Sequence, residues 1–423
     1  MVNRKGGTMV KTKSFEISKQ IVFEAFMLVK ANRGAAGIDN ESIAEFEKRL
    51  KDNLYKIWNR MSSGSYFPPP VKVVEIPKKS GGKRKLGIPT VADRVAQMVA
   101  KMYFEPLVEP YFLPDSYGYR PGKSAIDAIR ITRKRCWQYD WVLEFDIKGL
   151  FDNIDHGMLM RAVRHHTDCK WLILYIERWF KAPFQLKNGE LVERTTGTPQ
   201  GGVISPLLAN LFLHYVFDKW MVRENPHNPW ARYADDGIAH CKSQQEAENL
   251  LVKLDERFKE CHLELHPDKT QIVYCKDNDR NGDYPVIKFD FLGYTFRPRR
   301  SKNKYGKHFI NFTPAVSNTA QKAMRQKIHD WRMHLKPDKD LEDLSMMFDP
   351  AIQGWMNYYG HFYRSAMYPV LRHFNNALVH WARRKYKKLS RHRRRAEHWL
   401  GRIARREPNL FAHWRKGILP SAG

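Results

Sequence analysis

The side chains best suited to chemistry in this chain are three aspartates, Asp146, Asp235 and Asp236. Asp235-Asp236 follows the β-prone run Arg232-Tyr233-Ala234 and precedes Gly237-Ile238-Ala239-His240-Cys241, so the stretch predicts a β-hairpin with both acids at its tip. In regular extended backbone, adjacent aspartates point to opposite faces; a turn breaks that alternation and can present both at one rim. An acidic pair at a tight turn is usually a solvated loop, and this one gains meaning only from the third acid. Asp146 ends a predicted strand, Trp141 to Ile147, in which Leu143, Phe145 and Ile147 share one face while Val142, Glu144 and Asp146 share the other. A carboxylate on so apolar a strand requires a cation, donors or a metal. If the strands lie together in an antiparallel sheet, the acids converge on one edge. Hard oxygen ligands of this kind suit Mg²⁺, which keeps waters and accepts substrate phosphates. Two such ions about 3.5–4 Å apart would stabilise the attacking and leaving oxygens of an in-line phosphoryl displacement.

Other residues fit around such a centre. Val71 to Ile76 alternates and leads through Pro77-Lys78-Lys79-Ser80-Gly81-Gly82-Lys83-Arg84-Lys85 into Leu86-Gly87-Ile88-Pro89. That is a hairpin with a Gly-Gly turn and cations on both arms, either a phosphate clamp holding a triphosphate with Lys78 and Arg84 or a solvated ribbon. Gly197-Thr198-Pro199-Gln200-Gly201-Gly202 lets backbone lie close to a ligand, and Pro199-Gln200 could seat the sugar of a nucleotide. Asp152 and Asp155 suit helix capping instead. His165, His166 and Cys169 read as a polar helix surface.

The elements that must position these residues follow from patterning. Helices are expected over Ser14–Lys30, Ser42–Met61, Val91–Leu107, Ser124–Cys136, Gly157–Phe180, Leu207–Trp220 and Gln244–Cys261, with Ser205-Pro206 as a helix start. Gln271–Cys275 is a strand, and Phe289–Phe296 is one hydrophobic β segment. The composition shift at Arg297-Pro298-Arg299-Arg300 marks the main boundary, beyond which the pattern is helical: Ser317–Leu335, Leu341–Phe348 and Ala351–Tyr363. In the last of these Trp355, Tyr358, Tyr359 and Phe362 fall on one helical face and read as core. Arg383 to Arg406 is densely basic.

Composition narrows the partners. The 423 residues include 73 Lys+Arg against 45 Asp+Glu, a formal charge of +28 and a pI near 9.8, with 13% aromatics. A folded chain with that surplus suits a polyanion, and its rings suit the bases of nucleic acid. Five scattered cysteines without a Cys-x-x-Cys pair indicate neither zinc knuckle nor disulfide framework and suit a reducing cytosol, so a cytoplasmic protein, bacterial before organellar, is expected. The richest apolar run, Val203–Phe217, is interrupted by Pro206 and Asn210, so no membrane span is expected. Met1–Lys13 is basic but lacks an apolar signal core.

Metal acids, phosphate clamp, nucleotide loop and a basic aromatic surface are the parts of a nucleotide polymerase. In order and spacing, Gly37-Ile38-Asp39, Ile76-Pro77-Lys78, Gly87-Ile88-Pro89-Thr90, Tyr117-Gly118-Tyr119-Arg120-Pro121-Gly122 and Phe145-Asp146 with Phe151-Asp152 resemble the motifs of group II intron reverse transcriptases, also called maturases. The match continues through Thr198-Pro199-Gln200-Gly201-Gly202, Ser205-Pro206-Leu207-Leu208-Ala209-Asn210, Tyr233-Ala234-Asp235-Asp236, Phe291-Leu292-Gly293 and Gly354-Trp355-Met356-Asn357-Tyr358-Tyr359. The resemblance implies an α+β right-hand polymerase with fingers, an antiparallel palm sheet, a helical thumb and a short basic C-terminal extension. It divides the chain into an N-terminal extension (1–40), fingers and palm (41–297), thumb or maturase X domain (298–385) and a basic region that could bind DNA (386–423). It further implies two Mg²⁺ ions on Asp146, Asp235 and Asp236 with the Ile147 carbonyl, and dNTP contacts from Lys78, Arg84, Pro199 and Gln200. Phe151 would lie under the deoxyribose and reject a 2′-hydroxyl. Expected partners are intron RNA as template, a DNA or RNA primer and target DNA. No cysteine follows Cys275, so the Cys-rich His-Asn-His endonuclease of larger members is not expected. Two other readings stay open: a splicing factor that binds RNA without catalysis, and a related reverse transcriptase of defence or diversity generation.

Overall fold

A computed structural model describes residues 13–77, 82–303 and 305–421. Lys78 and most of the expected Gly-Gly turn lie outside the described residues. Among the described residues the β-prone segments form eleven strands: β1 (Val71–Pro77), β2 (Lys83–Ile88), β3 (Trp141–Asp146), β4 (Phe184–Gln185), β5 (Leu191–Val192), β6 (Trp230–Tyr233), β7 (Asp236–Cys241), β8 (Gln271–Tyr274), β9 (Phe289–Phe291), β10 (Tyr294–Lys302) and β11 (His308–Val316). They make three sheets, ordered β2-β1-β4-β5, β6-β7-β3-β8 and β11-β10-β9. The expected basic hairpin is present, with β1 and β2 antiparallel and Ile76 opposite Arg84, while β4 joins β1 in parallel. In the second sheet β8 runs antiparallel to β3, and β7 lies on the other side of β3.

The chain falls into two compact units, one of residues 1–124, 145–237 and 248–270, the other of 125–144, 238–247 and 271–423. In the first, the helix Val91–Val108 is buried along most of its length and capped at its N-terminus by Thr90. Two polar side chains inside it are satisfied. Asp93 accepts from Tyr66 Oη (2.8 Å), Trp179 Nε1 (2.8 Å) and Gln97 Nε2 (2.9 Å), and Gln97 Oε1 accepts from Val203 N (2.8 Å). That chain of bonds ties a central helix to the glycine-rich loop, since a buried carboxylate must be fully hydrogen-bonded.

In the second unit the apolar interior is built from the helices Asn318–Asp330, Leu341–Tyr359, Tyr368–Lys385 and Arg393–Arg406. Trp331 stacks between Phe348 and Trp355, with ring centroids 4.7 and 5.6 Å away, while Tyr358, Tyr359 and Phe362 surround Tyr294. Phe362 is buried but lies beyond the helix, and Trp355, Tyr358 and Tyr359 are half-buried, so the expected single helical core face is met only in part.

Several boundaries differ from the sequence reading. The first helix starts at Lys19 with Ser18 as cap, and Ser42–Met61 is two helices, Ile43–Lys48 and Leu50–Ser63. Phe289–Phe296 is not one strand: Leu292 (φ 52°) and Gly293 (φ 80°) fold it into a tight turn between β9 and β10. The region after Arg297 is not wholly helical either, because β10 runs through the basic cluster and pairs with β11 as far as Lys302 opposite His308. Lysine and arginine outnumber apolar residues there, which hides the alternation. Leu341–Phe348 and Ala351–Tyr359 merge into one helix that passes through Pro350 and is capped by Gly360, short of the expected end at Tyr363, so Phe362 lies beyond it.

Candidate active site

The acidic hairpin is built on a buried arginine. β6 ends at Tyr233, Ala234 takes a left-handed conformation (φ 56°), and β7 begins at Asp236, so the turn sits one residue earlier than Asp-Asp-Gly suggests. Arg232 is fully buried and forms a two-point pair with Asp218, Nε to Oδ1 at 2.8 Å and Nη2 to Oδ2 at 2.7 Å. Its remaining donors reach Asn210 Oδ1 (3.1 Å), the Ala234 carbonyl (3.1 Å) and Ser116 Oγ (2.8 Å). The guanidinium fork thus grips the turn that carries Asp235. Asp218 closes a π-helical turn, His214–Asp218, that interrupts the apolar helix begun at Ser205. Backbone from Ser116 to Gly118 lies alongside: Tyr117 N donates to the Arg232 carbonyl (2.8 Å), and Asn210 Nδ2 donates to the Gly118 carbonyl (2.6 Å). A Cβ at Gly118 would come within 2.5 Å of Ala234 N, so only glycine allows this approach.

Three carboxylates and two cations meet at this rim. Ile147 N donates to the Asp235 carbonyl (3.3 Å), and His266 N donates to the Asp146 carbonyl (2.8 Å), which fastens the end of β3 on two sides. Burial, the neighbouring charge of Asp235 and a hydrogen bond to Asp146 push the Asp236 carboxyl up to about 8. Burial also raises Asp235; the Asp146 charge adds to that, and Arg84 and Lys269 work against it. Lys269 Nζ lies 2.7 Å from Asp146 Oδ2. Burial disfavours its ammonium, but the hydrogen bond to Asp146 and the charges of all three aspartates prevail and raise it. Carboxylates crowded in this way retain a proton unless a cation displaces it, and an all-oxygen donor set is what a hard divalent ion takes. The residues therefore fit Mg²⁺ by chemistry and electrostatics. Among the described residues no group of three or more His, Cys, Asp or Glu side chains is spaced so as to hold a metal ion as it stands.

The glycine-rich loop forms a second cluster in the same unit. Thr198 N donates to the Phe151 carbonyl (2.7 Å), Gly197 N to the Ile154 carbonyl (2.8 Å), and Gly87 N to the Gln200 carbonyl (2.7 Å). A Cβ on Gly201 (φ 112°) would collide with the Gly87 carbonyl. Phe151 and Pro199 are buried and Gln200 is half-buried. β2 links the two clusters, carrying exposed Arg84, whose charge reaches Asp235, and Gly87, which meets the loop. Asp155 caps the helix His156–His166, accepting from Met158 N at 2.7 Å, as expected of a turn acid.

Sequence reasoning passed over two residues at this rim. Lys269 lies far along the chain within His266-Pro267-Asp268-Lys269, and no periodicity points it toward Asp146. Asp218 did leave a signal: a lone acid within the apolar run after Ser205 requires a partner, and Arg232 is the buried cation that supplies it.

Comparison with known proteins gives two family matches. Residues 76–296 match the family described as reverse transcriptase (RNA-dependent DNA polymerase), and residues 321–399 match the maturase-specific domain of group II introns. The chain is 33% identical to protein YkfC of Escherichia coli K12 over 326 residues, covering 67% of this chain and 81% of the relative. It is 28% identical over 429 residues to the group II intron-encoded protein LtrA of Lactococcus lactis subsp. cremoris, covering 80% of this chain and 68% of that protein.

Proposed function

Since this chain belongs to the group II intron reverse transcriptases with a maturase domain, we propose that it extends a DNA or RNA primer along intron RNA, transferring a deoxynucleotidyl group from a dNTP to the primer 3′-hydroxyl. The observation that carries the reading is the hydrogen bond between Asp146 and Asp236, with Asp235 close enough to act on both by charge and Lys269 on Asp146. Asp146, Asp235 and Asp236 hold two Mg²⁺ ions, with the Ile147 carbonyl as a further ligand. When bound, such ions stabilise the attacking and leaving oxygens of the displacement. Arg84, together with Lys78, neutralises the triphosphate, a task that suits the exposed position of Arg84 on β2. Pro199 and Gln200 line the nucleotide site, and Phe151 excludes a ribose 2′-hydroxyl by bulk.

In this reading, residues 41–297 form fingers and palm after an N-terminal extension. Residues 298–385 form the helical thumb that binds intron RNA and assists splicing, and the basic region 386–423 contacts target DNA during retrohoming. The protein works in the bacterial cytoplasm; among the described residues no helix is long and apolar enough to cross a membrane.

Primer extension on an RNA template, wild type against Asp235→Asn, tests the polymerase. Losing one ligand carboxylate removes several kcal/mol of transition-state stabilisation, so extension should fall by about a hundredfold or more. If neither protein extends a primer while both stimulate intron splicing, the chain is a splicing factor without catalysis.

A further inference from the structure

Residues 297–320 fall between the two family matches. They hold most of β10 and all of β11, and β9 supports only Tyr294–Phe296 of β10, leaving a two-stranded ribbon beyond. Its charge is one-sided: no Asp or Glu occurs from Phe291 through His329. Arg297, Arg300, Lys302, Lys307 and His308 are exposed, and none forms an ion pair with another described residue, unlike Lys83 with Glu75 or Lys148 with Glu264. Lys302 faces His308 directly across the ribbon, and Arg300 faces exposed Ile310 on the same side. Lysine and arginine side chains left without acidic partners gain most from a bound polyanion.

The tip has its own scaffold. Asn303 Oδ1 accepts from Tyr305 N (3.0 Å) and Lys307 N (2.9 Å), and Asn303 N donates to the Lys307 carbonyl (2.9 Å). This presents the Tyr305 ring with 81% of its surface open. A cationic ribbon ending in an exposed ring on an ordered turn matches a polyanion whose bases are free to stack.

We propose that the outer β10–β11 hairpin docks single-stranded RNA, with phosphates on Arg300, Lys302, Lys307 and His308 and an unpaired base on Tyr305. RNA is favoured over DNA because the hairpin leads directly into the maturase match, and because unstacked bases are what RNA loops supply. The inference rests on the RNA-binding part of the reading above and assigns a surface within residues 298–385 to their strands, ahead of the helices.

Fluorescence anisotropy of the full chain with labelled mixed-sequence single-stranded RNA, over a range of salt, tests it. Combined Arg300→Gln, Lys302→Gln and Lys307→Gln should weaken binding at least about tenfold and flatten the slope of log affinity against log salt by about 2, roughly 0.7 for each phosphate no longer neutralised. Tyr305→Ala should weaken it about tenfold, and Tyr305→Phe, which keeps the ring, should bind as wild type. Unchanged thermal midpoints establish that the variants are folded. Wild-type affinity and slope in both the triple variant and Tyr305→Ala would overturn the proposal. So would a loss confined to duplex DNA, which would make the ribbon a DNA contact. A wild-type chain that binds no RNA would instead overturn the RNA-binding reading itself.

Discussion

Arg232 shows how much of an active site rests on a side chain that never touches substrate. Its pair with Asp218 has no exposed surface, and its other donors fasten the Ala234 carbonyl at the turn carrying Asp235. Lysine keeps the charge but lacks the planar fork that serves Asp218, Asn210, Ala234 and Ser116 together. Arg232→Lys should therefore lower kcat for primer extension by about tenfold or more, through displacement of the Asp235 turn, with KM for dNTP little changed. It should also destabilise the fold, up to the roughly 3–5 kcal/mol typical of a broken buried pair. A variant that is less stable yet retains wild-type kcat would show that Arg232 serves the fold alone. Lys269 is a different case: its ammonium already lies on Asp146, so it balances charge at the rim where the ions are proposed to bind.

At the scale of elements, the site depends on close approach of backbone. The segment Ser116–Gly118 runs beside β6, with Tyr117 N and Arg232 N each bonded across the gap. Gly118→Ala would press a methyl group onto Ala234 N. The expected cost is about 1–3 kcal/mol in urea denaturation, together with reduced extension, because the segment that must yield carries Asp235. An alanine variant of unchanged stability and activity would show that the approach is loose. The same scale explains which elements could be read from sequence. The hairpin β6–β7 and the helix after Ser205-Pro206 were legible because turn residues and caps announce them locally. β11 was not, since Pro314 interrupts its pattern and its pairing is set by register with β10, whose own alternation is hidden by Arg and Lys. The turn at Leu292-Gly293 was missed for a related reason: leucine is an unexpected residue at positive φ, and Tyr358 Oη, bonded to the Leu292 carbonyl at 2.8 Å, helps to hold it there.

For the whole molecule, the second unit carries a pH liability. His240 and His413 are both buried, and burial depresses each to about 3. The unfolded chain, with ordinary histidines near 6.5, binds those protons first, so the stabilisation is complete above about pH 6.5 and is lost as pH falls toward 3. Each histidine should remove roughly 1.4 kcal/mol per pH unit in that window. Denaturant midpoints between pH 7.5 and 5 should therefore fall, and His413→Asn should make the fall shallower; a flat profile would mean that the histidines are hydrated. What the sequence by itself determined was the chemical inventory: three acids in β-prone settings, a basic hairpin, a glycine-rich loop and the ordered motifs of one polymerase family. Motif order and turn chemistry are local properties, and they survive without coordinates. Only the tertiary structure decided which far-separated groups meet, with Lys269 on Asp146, Asp218 under Arg232 and the basic ribbon carrying Tyr305 clear of the second unit's core. Burial and charge pairing depend on what the rest of the chain packs against a residue, and no window of sequence contains that information.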